Sequence, residues 1–226
     1  MSFTVDPMPR ALPRDHLAQL SGYETVLFGH FLDRGVLDPG ILPVAANMKT
    51  AGTAVTLTLP GLDSTLLHFA AGQLRPGDVL VIDRRGDRRA ACLGGGVAQA
   101  ILNSGAAGVV IDGCHTDTEE LVELGLPVFS GGAAALTTRI QGLGGALNRP
   151  VSAGGVPVMA GDAILADASG VVAIHASELA GVLVQAASLL ALTDRTIAGV
   201  KQGDLIGALS GANEIVARRI EGSVER

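Results

Sequence analysis

The stretch AAGVVIDGCHTDTEEL, residues 106–121, decides which fold the sequence predicts. The apolar run Gly108–Ile111 predicts a buried strand, and the Asp-Gly pair after it predicts a tight turn. Residues 114–117 (Cys-His-Thr-Asp) come next, and a helix follows for which Thr118 is the expected N-cap. Ligands of open α/β sheets bind at the carboxyl ends of the strands, so we expect the functional site at this turn, with Asp117 as its leading residue.

Strands and helices alternate on both sides of this segment. Apolar patterning predicts further strands at Gly52–Leu59, Val79–Asp83, Pro127–Ser130, Val156–Met159, Ala163–Ala166 and Val171–Ile174. Helices are predicted at Tyr23–Gly35, Ser64–Gln73, Val97–Asn103, Thr118–Leu124 and His175–Leu192, and no element is assigned to residues 131–149. The β-α-β-α-β order with short connections predicts an α/β fold with parallel strands and right-handed crossovers.

The composition restricts the class of protein. Of the 226 residues 48% are hydrophobic, and the formal net charge is −6, so we expect no nucleic-acid partner, because such proteins present a basic face. The two cysteines, Cys92 and Cys114, are too few for a disulfide framework and indicate reduced, buried thiols. The N-terminal residues lack the apolar part of a signal peptide, and no apolar run is long enough for a membrane helix. We therefore expect a cytoplasmic protein without a membrane partner.

Four blocks of sequence together resemble one known family. They are RPGDVLVID at 75–83, LGGGVA at 93–98, GVVIDG with an Asp four positions beyond it at 108–117, and GGVPV…GD…AD…GVV at 154–172. In this order and spacing they resemble the RraA-like family across roughly residues 20–205. That family includes class II 4-hydroxy-4-methyl-2-oxoglutarate aldolases and proteins named as regulators of ribonuclease E activity.

The resemblance implies a fold, an assembly and a chemistry. It implies a single β/β/α layered, swivelling-domain-like domain at residues 21–205, with an N-terminal arm at 1–20 and a helical, oligomer-packing tail at 206–226. It also implies a homotrimer or a dimer of trimers with active sites between protomers. In the aldolases an Asp holds Mg²⁺ (Mn²⁺ is the alternative), and the Arg before that Asp clamps the carboxylate of pyruvate. The cation stabilises the enolate that forms when the carbon–carbon bond breaks.

The family's functional positions transfer unevenly to this chain. Asp117 falls on the metal-binding Asp, whereas Thr116 stands where the aldolases have the Arg. The backbone amides expected to bind an anionic substrate group belong to Gly94, Gly95, Gly96 and Val97. Within this loop Gly95 replaces an acidic residue of the family, and a second family acid, near the C-terminus, has only a loose counterpart in Asp194.

These departures shape the functional prediction. A threonine hydroxyl donates a neutral hydrogen bond but cannot replace the bidentate, charged contact of an arginine with a carboxylate. We therefore predict a divalent-metal-dependent lyase of the aldolase or decarboxylase type whose specificity is shifted away from pyruvate-type substrates. The alternative is a non-catalytic binding protein that inhibits a ribonuclease. A methyltransferase is rejected, because the chain lacks a Gly-x-Gly-x-Gly loop after its first strand.

The turn residues allow more than one interpretation. His115 is predicted to be catalytic, as a general acid or base, but it is equally open to a purely structural role, and Asp117 is open to a helix-capping role. Cys114 and His115 fall short of a zinc site, because no second pair of ligands accompanies them. The glycine loop at 94–96 either binds an anion or simply forms a tight turn.

Other histidines and the arginine-rich turn are also candidates. His30 and His68 lie in predicted helices with apolar neighbours and are expected to be core or interface residues. The turn at Arg84–Arg89 is either a solvated loop or the source of a replacement for the missing arginine. In the second case Arg88 or Arg89 is favoured, because both lead into the glycine loop.

Overall fold

The computed structural model describes residues 2–224, with side chains described through residue 220. Its backbone divides into a first unit that ends at Gly181 and a second that begins at Val182. The division therefore falls earlier in the chain than the boundary at residue 205 that the sequence suggested. Within residues 2–224, no helix is both long enough and apolar enough to cross a membrane.

The strands and helices alternate through the first unit and give way to helices in the second. The strands are β1 (Phe3–Val5), β2 (Leu42–Pro43), β3 (Thr50–Thr58), β4 (Asp78–Asp83), β5 (Ala90–Leu93), β6 (Gly108–Asp112), β7 (Cys114–His115), β8 (Val128–Ser130), β9 (Leu136–Thr137), β10 (Gly145–Leu147), β11 (Val151–Ala153), β12 (Val156–Val158), β13 (Ala163–Asp167) and β14 (Gly170–Ile174). The helices are α1 (Arg14–Ser21), α2 (Thr25–Gly29), α3 (Thr65–Ala71), α4 (Gly95–Asn103), α5 (Thr118–Leu124), α6 (Leu179–Lys201), α7 (Ile206–Leu209) and α8 (Ala212–Val224).

The main sheet has the strand order β1-β10-β3-β4-β6-β8-β2, and β13 adds to β3 and to β14. The central strands β3, β4, β6 and β8 run parallel, in a register that pairs Val55 with Leu80 and Val81 with Val110. The predicted parallel pairing is therefore confirmed. Because parallel strands share one carboxyl edge, the loops after β4 and β6 leave the sheet side by side.

Both faces of the central strands are buried, and successive residues face opposite layers. On β4, Leu80 and Ile82 join a core with residues of α3, α4 and α5, while Val79 and Val81 join a second core with residues of β11 to β14. This alternation follows from the two-residue period of a strand. The layers are thus helices, the central sheet and a second set of strands.

Two of the helices differ from the sequence prediction. The helix predicted at Tyr23–Gly35 covers only Thr25–Gly29, because the chain after it lies along β14, where the Gly35 carbonyl accepts a hydrogen bond from the Ala173 N–H at 2.8 Å. Pairing with a buried strand here outweighs local helix preference. The helix predicted at His175–Leu192 begins at Leu179 instead and continues to Lys201.

The second unit consists of helices with many exposed apolar side chains. Val184 is 69% exposed, Leu205 71%, Ile206 64% and Ile220 61%. The helical character predicted for the tail at 206–226 is confirmed by α7 and α8, and residues 225–226 lie outside the described residues. Patches of apolar surface of this kind mark contact sites in soluble proteins.

Candidate functional site

The site is assembled where β5 and β7 bring two helix starts together. β7 pairs in parallel with β5, with Cys114 opposite Ala91 and His115 opposite Leu93. The Thr116 N–H then donates to the Leu93 carbonyl at 2.8 Å. As a result, the start of α5 lies beside the glycine loop that opens α4.

Asp117 occupies an unusual backbone conformation at this junction. Its φ of 54° and ψ of 46° lie in the left-handed region, which Asp tolerates better than most residues. It stands at the N-cap position of α5, one residue before the Thr118 that the sequence suggested, but its side chain does not cap that helix. Instead Oδ2 accepts the Gly95 N–H at 3.0 Å, and Oδ1 accepts the Thr116 hydroxyl at 3.1 Å.

Two glycines of the α4 loop lie close to side chains at the start of α5. A Cβ on Gly94 would overlap Oδ2 of Asp117, and a Cβ on Gly95 would overlap the carboxylate of Glu120. The Glu120 carboxylate occupies the space in which a side chain at position 95 would begin. Two exposed carboxylates, Asp117 and Glu120, therefore flank the same glycine.

A cavity of about 240 Å³ opens at this junction. It is lined by Ser64, His68, Ala91, Cys92, Leu93, Gly94, Gly96, Val97, Thr116, Asp117, Thr137 and Thr138. Five of the predicted site residues line it, and only Gly95 and His115 do not. The sequence missed the contributions of α3 and β9, because nothing in a single sequence shows that segments so far apart in the chain meet here.

His115 lies behind the cavity rather than in its lining. It is buried, and both ring nitrogens are engaged: Nδ1 is 2.7 Å from Ser130 Oγ and Nε2 is 3.0 Å from Thr118 Oγ1. Burial lowers the pKa of His115 below its usual value, although the Gly132 backbone opposes that shift. This geometry ties β8 to α5 and favours the structural interpretation of His115 over the catalytic one.

Neither cysteine is placed as a nucleophile. Cys92 lines the cavity, but burial raises the pKa of its thiol to about 12, so the thiol stays protonated at neutral pH. The Cys114 thiol donates to the Arg88 carbonyl at 3.2 Å. Both cysteines are buried and unpaired, as the sequence predicted.

The arginine turn does not reach the cavity. The Arg84 guanidinium is buried and donates to the Gly61 carbonyl at 2.6 Å, and Arg88 is paired with Asp112 at 3.0 Å. Residues 84–89 instead line a separate cavity with Leu62 and Leu136. Among the residues that the structure describes, no arginine lines the Asp117 cavity, so a single chain does not bring Arg88 or Arg89 to it.

The buried Asp63 holds the chain segment beside the cavity against the start of α3. Asp63 accepts hydrogen bonds from the Thr65 N–H at 2.9 Å, the Gln141 N–H at 3.0 Å and the Leu143 N–H at 2.6 Å. Burial alone would raise the pKa of Asp63, but these bonds and that from the Thr65 hydroxyl outweigh it and lower the pKa to about 2. Asp63 thereby holds residues 139–143, which follow the cavity residue Thr138, against the start of α3.

The oxygen donors at the junction fit a hard divalent cation. Asp117 and Glu120 supply carboxylates next to one glycine, and Mg²⁺ is commonly held by one or two carboxylates with water completing its shell. Among residues 2–224, no three His, Cys, Asp or Glu side chains are grouped to hold a metal by themselves. Asp194 does not line the cavity.

Comparison with known families matches residues 18–173 to the RraA-like family, described as Aldolase/RraA. This match covers more than half of the chain, which therefore belongs to the RraA-like family. The chain is 35% identical over 146 residues to a Halalkalibacterium halodurans protein provisionally named 4-hydroxy-4-methyl-2-oxoglutarate aldolase, and the alignment covers 65% of this chain and 69% of the relative.

Solved structures agree with this assignment. Streptomyces coelicolor RraAS2, described as an unusual member of the RNase ES inhibitor RraA family, aligns with a TM-score of 0.71 at 28% identity, covering 80% of this chain and 94% of that chain. The RNA-processing inhibitor RraA from Thermus thermophilis aligns with a TM-score of 0.61 at 29% identity, covering 67% and 92%. The predicted α/β fold of the RraA-like type is thus confirmed.

Proposed function

We propose that the protein is a divalent-metal-dependent carbon–carbon lyase, of the aldolase or decarboxylase type, that acts on a keto-acid-like carbonyl substrate. The observation that carries this proposal is the meeting of an exposed Asp117 carboxylate with the N-terminus of α4 at one cavity. The aldolase name of the Halalkalibacterium halodurans relative supports the same class of reaction.

In this proposal Asp117 holds Mg²⁺ or Mn²⁺, and Glu120 adds negative charge beside it. The bound cation would polarise the substrate carbonyl and stabilise the negative charge that develops on its oxygen. The hydrogen bonds from Thr116 and Gly95 fix the Asp117 carboxylate, so it needs little reorganisation when the cation binds. Such preorganisation is a large part of electrostatic catalysis.

The substrate's anionic group would bind at the start of α4. The Gly95 N–H already donates to Asp117. Gly96 and Val97 line the cavity, and their N–H groups belong to the first turn of α4, so no earlier turn of the helix supplies carbonyl partners for them. Thr116 supplies a neutral hydroxyl, and within the described part of the chain no arginine lines the cavity. We therefore expect weaker selection for a pyruvate-type carboxylate than an arginine clamp provides.

A titration of Mn²⁺ and Mg²⁺ into the wild type and Asp117→Asn, with oxaloacetate present, tests this function by measuring pyruvate release. Asn tolerates the left-handed backbone, so this variant removes charge with little strain. Asp33→Asn, at an exposed position, is the matched control. Metal-dependent release that is lost only in Asp117→Asn supports the proposal, and metal binding without release indicates a different carbonyl substrate.

A second candidate function is inhibition of a ribonuclease without catalysis. It is favoured by the names of the two solved relatives and by the absence of an arginine from the cavity lining. An acidic protein with a net charge of −6 would recognise a basic segment of its partner. Inhibition of ribonuclease E that persists in Asp117→Asn, together with no metal binding by the wild type, would favour this function over the lyase.

We further propose that the protein assembles as a homotrimer or a dimer of trimers. The exposed apolar side chains of α6, α7 and α8, with Ile206 64% exposed, support burial against another subunit. Sedimentation equilibrium measures the mass directly. A monomeric mass at micromolar concentration would contradict this assembly.

A further inference from the structure

The cavity contains a histidine to which neither the family pattern nor the predicted site gives a role. Its titratable lining residues, among those that the structure describes, are His68, Cys92 and Asp117. The Cys92 thiol is held protonated by burial, and Asp117 is the proposed cation ligand. His68 is therefore the group left to exchange protons with a substrate in this space.

The fold presents His68 to the cavity on a fixed support. It lies one helical turn after Ser64, so both side chains lie on the same face of the α3 region, and both line the cavity. The Ser64 N–H donates to the Arg139 carbonyl at 2.9 Å, and Asp63 holds the Thr65 N–H, so this end of the helix is anchored.

Proton transfer to a substrate requires an accessible imidazole with a free ring nitrogen, and His68 meets this requirement whereas His115 does not. The His68 side chain is exposed, and no hydrogen bond or ion pair joins it to the described residues. His115, in contrast, is buried with both nitrogens engaged. Histidine is the commonest general acid and base in enzymes that work near neutral pH.

We infer that His68 is the proton-transfer residue of the cavity. This inference rests on the proposed lyase function. In aldol cleavage the neutral imidazole takes the proton of the substrate hydroxyl while the carbon–carbon bond breaks and its electron pair forms the enolate. The imidazolium then returns that proton to the enolate carbon, and no other reagent is consumed. With oxaloacetate, CO₂ leaves first, and the imidazolium delivers to the enolate carbon a proton that is replaced from water.

The kinetic test compares His68→Gln with the wild type and with His30→Gln, which changes an exposed histidine that does not line this cavity. Metal-dependent pyruvate release from the aldol 4-hydroxy-4-methyl-2-oxoglutarate, whose cleavage requires removal of the hydroxyl proton, is measured from about pH 5 to 8. His68→Gln should lower the rate about 100-fold and remove the pH dependence, while Mn²⁺ affinity stays within about twofold. A wild-type rate and pH profile in His68→Gln would overturn the inference and leave the proposed function intact.

A spectroscopic test does not depend on turnover. In protein labelled with ¹⁵N-histidine, bound Mn²⁺ should broaden the His68 imidazole signal, assigned from its loss in His68→Gln and His68→Asn, and should spare that of His30. Broadening supports the inference even without oxaloacetate turnover, and Mn²⁺ binding that leaves the His68 signal sharp overturns it. Absence of both Mn²⁺ binding and turnover in the wild type would refute the proposed function, and the inference with it.

Discussion

The carboxylate of Asp117 and the backbone N–H of Gly95 form a 3.0 Å hydrogen bond that joins the N-terminal ends of two helices. Asp117 is the N-cap residue of α5, but its side chain reaches the first residue of α4. A negative charge at this position interacts favourably with the positive end of each helix. The two helix starts are therefore coupled through one carboxylate.

The close approach of Glu120 to Gly95 predicts a weak coupling between the two positions. Because the Glu120 carboxylate is the exposed end of a flexible side chain that can turn away from a new Cβ, Gly95→Ala should destabilise the protein by less than about 1 kcal/mol. In a Glu120→Ala background the same change should cost only slightly less. Urea unfolding of the wild type, both single variants and the double variant measures the interaction energy. Strongly non-additive free energies of unfolding would show that Glu120 does not move aside freely.

The left-handed backbone of Asp117 predicts different costs for two substitutions there. Asp117→Asn keeps a side chain that tolerates this conformation and can still accept the Gly95 N–H, so it should change the free energy of unfolding by less than about 1 kcal/mol. Asp117→Ala loses both properties and should cost about 1–2 kcal/mol more. Thermal and urea unfolding without metal compare the two variants, and equal losses would exclude a contribution from the backbone conformation.

Because the pKa of His115 is lowered in the folded protein, we expect this residue to make the stability depend on pH, rather than the activity. Its pKa in the folded protein is lower than the ordinary value of 6.5, so the unfolded state binds more protons, and stability falls as the pH drops below about 6.5. His115→Gln should cost about 1–3 kcal/mol at neutral pH through the lost contacts to Ser130 and Thr118, and should flatten this dependence.

Unfolding by urea at several values from about pH 5 to 8 measures this effect, with His30→Gln as the control. An unchanged slope of stability against pH in His115→Gln would contradict the prediction. A wild-type pH profile for pyruvate release in this variant would agree with a structural role.

Because the pKa of Asp63 is lowered in the folded protein, we expect the protein to lose stability in acid. Since the folded pKa of Asp63 is about 2 and its ordinary value is 3.8, its contribution is complete above about pH 4 and is lost as the pH falls towards 2. The shift corresponds to about 2 kcal/mol. Asp63→Asn should lose about that amount at neutral pH and should show a flatter acid limb. Asp33→Asn is the exposed control, and identical acid unfolding of Asp63→Asn and the wild type would contradict the assignment.

Sequence patterns predicted the parts of the structure that depend on local chemistry. The apolar run before Asp112-Gly113 became a buried parallel strand, and helix α5 has the predicted bounds, Thr118–Leu124. The glycine loop and Asp117 also meet at one cavity, as strand order and the family resemblance implied. In each case the signal lies within a few residues of the feature that it predicts.

The missed features depend on contacts between distant segments. The sequence predicted a core or interface role for His68, but its side chain is exposed, and only the placement of α3 beside Asp117 brings it to the cavity. His115 lies two residues before Asp117 in the chain, but it is buried in β7, which pairs with β5, and it does not line the cavity. Neighbours in a strand or turn can face opposite ways, so proximity to Asp117 in the sequence does not by itself bring a side chain to the cavity.

Asp63 also has a consequence for the order of folding. Its bonds to Gln141 and Leu143 join residues 78 and 80 positions apart. Contacts with such long sequence separation close large loops and are expected to form late on the folding pathway. During synthesis the helix that carries His68 emerges long before Thr137 and Thr138. The cavity is therefore complete only after the segment that follows these two residues has bound to the Asp63 carboxylate.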